Sequence, residues 1–158
     1  MNISTKWIAL AAAIVAGSVY CGPATAQDAA AQTEARQAVM KSQGKDLGAV
    51  KAYIDGKGDL AAAQAGAADL VTRIAKVPTL FPKGTSMADL PGKSYAKPAI
   101  WTEMDKFNAG AKAAQTKAEA LNAAVKGGDM NAITAAFGDM GKNGCGGCHE
   151  PYREKKPS

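Results

Sequence analysis

The sequence predicts an all-α protein, an antiparallel bundle of four helices, and three observations carry that prediction. No stretch alternates apolar and polar residues with period two, and β-branched residues are sparse. Ala, Lys, Leu, Gln and Glu, which favour helix, dominate the long segments. Between Ile100 and Val125 an apolar residue recurs at steps of 4, 3, 4, 3, 4, 3 and 4, which marks one sustained helix face. The chain has 158 residues, 47% of them hydrophobic, and a formal charge of +5. That is one domain's worth of sequence with enough apolar side chains for a core, so a disordered chain and a disulfide-stapled miniprotein are excluded. One His and three Cys exclude any site that needs several imidazoles.

Residues 1–26 read as a signal peptide. Lys6 supplies the positive start, Trp7 to Val19 forms a short apolar run, and Ala24 and Ala26 give a small-residue cleavage site after Pro23. A membrane span needs about 20 apolar residues, more than this run offers, so no stable membrane anchor is expected. Cys21 is expected to leave with the segment, because bulky Tyr20 suits a lipoprotein site poorly. The functional domain is then 27–158, located in the periplasm. It retains two cysteines, Cys145 and Cys148, and one histidine, His149, within five consecutive positions.

The first helix is expected from Asp28, as N-cap, to Ile54, with Gly56 and Gly58 closing it. Ala35, Val39, Leu47, Val50 and Ile54 form its apolar stripe. The second runs from Asp59 to Lys76 with Leu60, Ala63, Ala67, Leu70, Val71 and Ile74 inward, and Pro78 stops it. Residues 77–97 carry Pro78, Pro82, Gly84, Pro91 and Gly92 and read as a long crossover, which Leu80-Phe81-Pro82 pins onto the bundle. Pro98 opens the third helix, which carries the seam from Ile100 to Val125 and ends at Gly127-Gly128. Asp129 caps the fourth, which presents Ile133, Ala136, Phe137 and Met140 and continues into the Cys cluster. Short turns make the first and second, and the third and fourth, antiparallel neighbours, and the crossover permits an up-down-up-down bundle. The Ala-rich third seam is compatible either with tight packing or with space for a bulky buried ligand.

The pentapeptide Cys145-Gly-Gly-Cys148-His149 matches the attachment motif of c-type haem. Two thiols add to the two vinyl groups of the porphyrin, and the adjacent imidazole reaches the iron. On a regular helix Cys145, Cys148, His149 and Tyr152 fall on one face, and the intervening glycines let a macrocycle approach the backbone. Export agrees with this chemistry. Three alternatives stand beside it. Structural zinc needs four ligands where the domain offers three such groups. A thioredoxin-like dithiol needs a βαβ context. A disulfide between these cysteines closes only a short loop and gains little. A further alternative is a helical binding protein without haem, in which the Cys pair is incidental.

These residues together resemble the class II c-type cytochromes, the cytochrome c-prime family, over essentially the whole domain. The resemblance rests on Arg36-Gln37-x-x-Met40, Leu80-Phe81-Pro82, Lys97-Pro98-x-x-Trp101 and Gly141-x-x-x-Cys145-x-x-Cys148-His149-x-x-Tyr152-Arg153. It implies a four-helix bundle with one haem c attached through Cys145 and Cys148 near the C-terminus. It also implies His149 as axial ligand, with Arg36, Gln37 and Met40 at the cofactor. One departure is Pro151, which lacks an N–H for the carbonyl of Gly147; the helix is expected to bend there, or simply to end.

The opposite axial position decides the function. With no second His, a protein ligand there is expected to be a Met thioether. Met104 reads as core, Met140 shares a helix with His149, Met87 lies on the crossover and Met130 opens the fourth helix. Met40 lies one helical turn after Arg36 on the same face, so an Arg paired with a propionate would leave Met40 over the iron. In the family this position faces the distal side of the haem. The main expectation is therefore a His149/Met40-ligated, low-spin electron carrier, more like the low-spin members. The alternative is a five-coordinate haem that binds nitric oxide or carbon monoxide, with Met40 only shielding the iron. No phosphate loop, carboxylate dyad or aromatic-basic stripe supports an enzyme or a nucleic-acid partner. Lys41, Lys45, Arg153, Lys155 and Lys156 suit either a solvated face or a basic rim for acidic redox partners. The resemblance also implies homodimers through the first two helices.

Overall fold

A computed structural model describes residues 26–155. The expected signal peptide, Cys21 and Lys156 fall outside the described residues. Six α-helices follow in order: α1 Ala26–Ile54, α2 Leu60–Ala75, α3 Ala99–Thr102, α4 Met104–Gly127, α5 Met130–Asp139 and α6 Gly147–Tyr152. A 3-10 turn, Val77–Leu80, follows α2, and a π-helical segment, Met140–Gly146, joins α5 to α6. The four bundle members are α1, α2, α4 and the composite C-terminal helix. α1 packs on α2, α2 on α4, and α4 on the C-terminal helix, whose α5 portion returns to α1. Among the described residues no helix is long and apolar enough to cross a membrane.

The core follows the predicted stripes of the later helices and, in α1, only the C-terminal part of the predicted stripe, Leu47, Val50 and Ile54. In the N-terminal part Ala35 is exposed, and Thr33 and Arg36 are buried instead. Val50, Ala67, Leu70, Ala118, Leu121, Val125, Ile133 and Met140 are fully buried in one cluster. Asp59 caps α2 by accepting from the Ala62 N–H at 2.7 Å, and Asp129 caps α5 by accepting from Asn131 at 2.8 Å. At the α1–α2 crossing a Cβ placed on Gly66 would lie 2.7 Å from the Asp46 carbonyl oxygen. Only glycine permits that approach. The Arg73 guanidinium of α2 closes the same crossing with a 2.7 Å ion pair to the nearly buried Asp46 carboxylate.

Three local expectations are corrected. α1 begins at Ala26, so Asp28 lies inside its first turn instead of capping it. The third helix is interrupted at Glu103, whose φ of −124° and ψ of 39° leave the helical region. Just before this break the Trp101 indole N–H is drawn to the carbonyls of Phe81 and Pro82, at 3.1 and 3.2 Å. The fourth helix is not uniform. Its glycines hold the α-helical turn weakly, and from Met140 it widens into the π segment. A Cβ on Gly144 would lie 2.9 Å from the Met140 sulfur, so the thioether fills the space beside that glycine. At Pro151 the simpler outcome holds: α6 ends one residue later, at Tyr152.

The crossover is fastened at both ends. Leu80-Phe81-Pro82 pins it as expected: Leu80 accepts from Arg36, and Phe81 and Pro82 accept from Trp101. Its far end pairs with the chain after α6, where Lys97 N–H donates to the Tyr152 carbonyl at 2.9 Å and Glu154 N–H to the Tyr95 carbonyl at 2.8 Å.

Candidate haem site

A cavity of about 480 Å³ opens among α1, α4, the crossover and the C-terminal helix. That is within the usual range for a cofactor site. The C-terminal wall carries Cys145, Cys148, His149 and Tyr152; α4 contributes Phe107, Ala111 and Ala114; α1 contributes Arg36, Gln37, Met40, Lys41 and Gln43. The small residues of the Ala-rich seam therefore border the cavity at Ala111 and Ala114, while Ala118 packs into the core. All six residues expected at the cofactor reach one space.

Cys145 leaves the π segment and Cys148 the following α-helix, so the two thiols converge across a change of helix type. Both sulfurs are half-buried, and burial raises the thiol pKa values above the ordinary 9.0; the neighbouring Cys148 adds to the rise at Cys145. α4 leaves them room: a Cβ on Gly110 would lie 3.2 Å from the Cys148 sulfur. Burial, reinforced by the positive charge of Arg153, lowers the His149 pKa below its ordinary 6.5. The neutral imidazole is thus the favoured form, with a lone pair available to a metal. Among the described residues no group of three His, Cys, Asp or Glu gathers to hold a metal ion directly. Two thiols and one neutral imidazole beside a large apolar cavity fit an iron carried by a macrocycle.

Arg36 and Gln37 line the cavity, yet their polar groups turn to the crossover. The Arg36 guanidinium is buried. Its Nη1 donates to the Leu80 carbonyl at 3.3 Å and to Thr85 Oγ1 at 3.0 Å; its Nη2 donates to the Thr85 carbonyl and to Ser94 Oγ, both at 3.1 Å. Its carbon lies 4.6 Å from the centre of the Phe81 ring, and burial lowers its pKa. Gln37 Nε2 donates to the Lys93 carbonyl at 2.7 Å. The guanidinium expected to be free for a propionate thus has both terminal nitrogens engaged by the loop. The exposed cations in the cavity wall are Lys41 and Arg153.

An aromatic series links these walls. Phe81 meets Phe107 edge-on with centroids 4.8 Å apart, and Phe107 meets Tyr152 edge-on at 5.4 Å. Met40 is half-buried in the α1 wall. Met140 also borders the cavity but is fully buried in the core. Met104 packs against the cluster formed by Ala96, Ile100, Phe107 and Tyr152, Met130 is exposed, and Met87 lies on the crossover away from the cavity. Sequence reasoning missed Gln43, although it stands seven residues after Arg36, on the same helix face. It also missed Thr85, Ser94 and Gly110, whose roles arise only from tertiary neighbours.

The profile of the cytochrome C' family matches residues 31–153. A curated relative, cytochrome c-556 of Agrobacterium fabrum, is 34% identical over 145 residues, spanning 90% of this chain and 89% of the relative. Among solved structures, a cytochrome c' with ligand-controlled dimer dissociation superposes with a TM-score of 0.74 at 29% identity, covering 80% of this chain and 97% of the other. A nitric oxide complex of a cytochrome c prime variant from Alcaligenes xylosoxidans gives a TM-score of 0.69 at 30% identity, covering 84% and 98%. With its helices, its cavity and its terminal thiols in this arrangement, the chain belongs to the cytochrome c' family and carries one haem c, attached through Cys145 and Cys148.

Proposed function

We propose that the protein is a periplasmic haem protein with a five-coordinate iron, in which His149 is the single protein ligand and Met40 shields the distal side. The observation that carries this is the composition of the cavity. Its C-terminal wall offers a neutral imidazole, while the α1 wall offers as an iron ligand only a half-buried thioether, a weakly basic sulfur. The likeness to a nitric oxide complex supports the same reading over the carrier that the motif comparison favours. When bound, the haem would supply an iron able to take a small diatomic ligand, with His149 holding it from the C-terminal wall.

The chain's own residues do the rest. Cys145 and Cys148 fix the cofactor to the C-terminal wall, and burial keeps His149 unprotonated and available to the iron. Arg36 and Gln37 hold the crossover against α1, which sets where Met40 stands. Phe81, Phe107 and Tyr152 exclude water from the side of the cavity. Lys41 and Arg153 give its wall a basic face for the propionates or for an acidic redox partner. A homodimer through α1 and α2 accords with the dimer described for one solved relative.

The second reading, a low-spin His149/Met40 carrier, is favoured by one observation: the Met40 thioether borders the same cavity as His149. Thioether ligation would stabilise ferrous iron and raise the potential. Absorption spectra of the oxidised and reduced holoprotein separate the two. The proposal expects a high-spin ferric spectrum and binding of carbon monoxide on reduction. A low-spin ferric spectrum with a thioether–iron charge-transfer band, refusal of carbon monoxide, and conversion to high spin in Met40→Ala would overturn it in favour of the carrier.

A further inference from the structure

Where the cavity meets the core its lining is apolar, formed by Ile74, Ala114 and Met140. Gln43 is the exception on the neighbouring α1 wall. It follows Met40 by three residues on α1, so the two side chains share a helix face, and both line the cavity. Its carboxamide nitrogen is buried and has no hydrogen-bond partner among the described residues. Buried amide donors in native proteins are almost always paired, so an orphan in the wall of a cofactor cavity points to a partner that arrives with the cofactor.

The chemistry of that partner is restricted. The haem is tethered to the other wall by Cys145, Cys148 and His149, so α1 faces the side away from the imidazole. The propionates are carboxylates, which belong near solvent and the cations Lys41 and Arg153. The body of a porphyrin offers an amide N–H no strong acceptor. What remains beside Met40 is the ligand on the iron. We propose that Gln43 is the hydrogen-bond donor of the distal pocket, and that its N–H selects ligands that gather negative charge, nitric oxide ahead of carbon monoxide. This rests on the open axial position argued above. Gln43 is neutral at all relevant pH and transfers no proton; it orients and stabilises the bound ligand, a recognised way for a distal pocket to set ligand preference.

The test uses holoprotein in the Met40→Ala background, which opens the distal side whichever way the wild-type iron is ligated. Met40→Ala is compared with Met40→Ala/Gln43→Leu, since Leu is close to Gln in size, lacks the N–H and offers the iron no ligand; Gln43→Val is the second replacement should the first attach haem poorly. Removing the donor should raise the C–O stretching frequency of the ferrous carbonyl complex and speed nitric oxide dissociation about five- to tenfold, the size of one neutral hydrogen bond. Carbon monoxide dissociation should change less than about twofold on the same scale. An unchanged stretching frequency together with an unchanged nitric oxide rate would overturn the assignment. A low-spin wild type that refuses carbon monoxide overturns only the open-position reading, because the paired variants report on Gln43 in either case.

Discussion

Arg36 Nη1 donates to Thr85 Oγ1 at 3.0 Å across 49 positions of sequence, joining the middle of α1 to the crossover that closes the haem cavity. The same guanidinium takes up the Leu80 and Thr85 carbonyls and Ser94 Oγ, while Thr85 Oγ1 donates onward to the Pro82 carbonyl at 2.8 Å. A planar fork with fixed N–H directions satisfies four acceptors where a point charge on a flexible stem satisfies fewer.

Arg36→Lys should therefore destabilise the holoprotein by about 2–3 kcal/mol, because buried carbonyl and hydroxyl acceptors lose their donors while the charge stays. Urea unfolding followed by far-UV circular dichroism measures it. If Arg36 acted mainly as a positive charge toward a propionate, Lys would restore most of the lost stability. Equal stability of wild type and Arg36→Lys would contradict the anchoring role.

Gly66 sets how closely α1 and α2 approach. A Cβ there would stand 2.7 Å from the Asp46 carbonyl oxygen and 3.2 Å from the Ala49 Cβ, and neither a backbone oxygen nor a helix can yield locally. Alanine would gain about 0.5–1 kcal/mol from helix propensity but would force the helices apart, an overpacking cost of about 1–3 kcal/mol. The expected outcome of Gly66→Ala is a net loss of thermal stability. A raised midpoint in thermal unfolding of the holoprotein would refute the close approach.

The order and type of the elements were legible because amphipathic periodicity is local. The seam from Phe107 to Val125 predicted the buried face of α4 residue by residue, including Ala111, Ala114 and Ala118. The π segment was not legible: glycines at 141, 144, 146 and 147 permit a wide turn, and only the packing of Met140 into the core selects one. Within the site, Cys145, Cys148 and His149 were visible because attachment chemistry needs fixed short spacing. Arg36 was visible as a position but its partners were not, since Thr85 and Ser94 are ordinary crossover residues until the fold brings them under α1. Gln43 was unremarkable in sequence because a single polar residue beside an apolar stripe is usually solvated; burial of its nitrogen is a tertiary fact.

The crossover carries an acid-sensitive contact. The Asp89 carboxylate accepts from the Ser86 N–H at 3.0 Å and from the Ser86 hydroxyl at 2.6 Å, and these bonds hold its pKa below the ordinary 3.8. A depressed pKa stabilises the fold above the unfolded value, and that contribution is lost as the pH falls through 3.8 toward the lower folded value. Asp89→Asn should lower the unfolding temperature at pH 7, and the gap to wild type should close below pH 3.8. Unfolding temperature measured against pH for both proteins checks this. A gap that persists unchanged into that acid range would assign the effect to something other than the ionised carboxylate.

Gly110 is the point where α4 yields to the cofactor's attachment. Its position faces the Cys148 sulfur, and a Cβ at 3.2 Å already lies closer than ordinary van der Waals contact. A methyl group requires the sulfur to give by a few tenths of an ångström, whereas a branched side chain occupies the place of the thioether itself. Gly110→Leu should therefore reduce covalent attachment at Cys148 while leaving Cys145 free to react, since the added side chain would meet the Cys148 sulfur. The pyridine haemochrome spectrum distinguishes one thioether from two, because each saturated vinyl group shifts the band to shorter wavelength. The expected spectrum for the variant is that of single attachment, with Cys148 recovered as a titratable thiol after denaturation. Full double attachment in Gly110→Leu would mean that α4 can move away from the C-terminal helix, and that Gly110 does not limit the space for the cofactor.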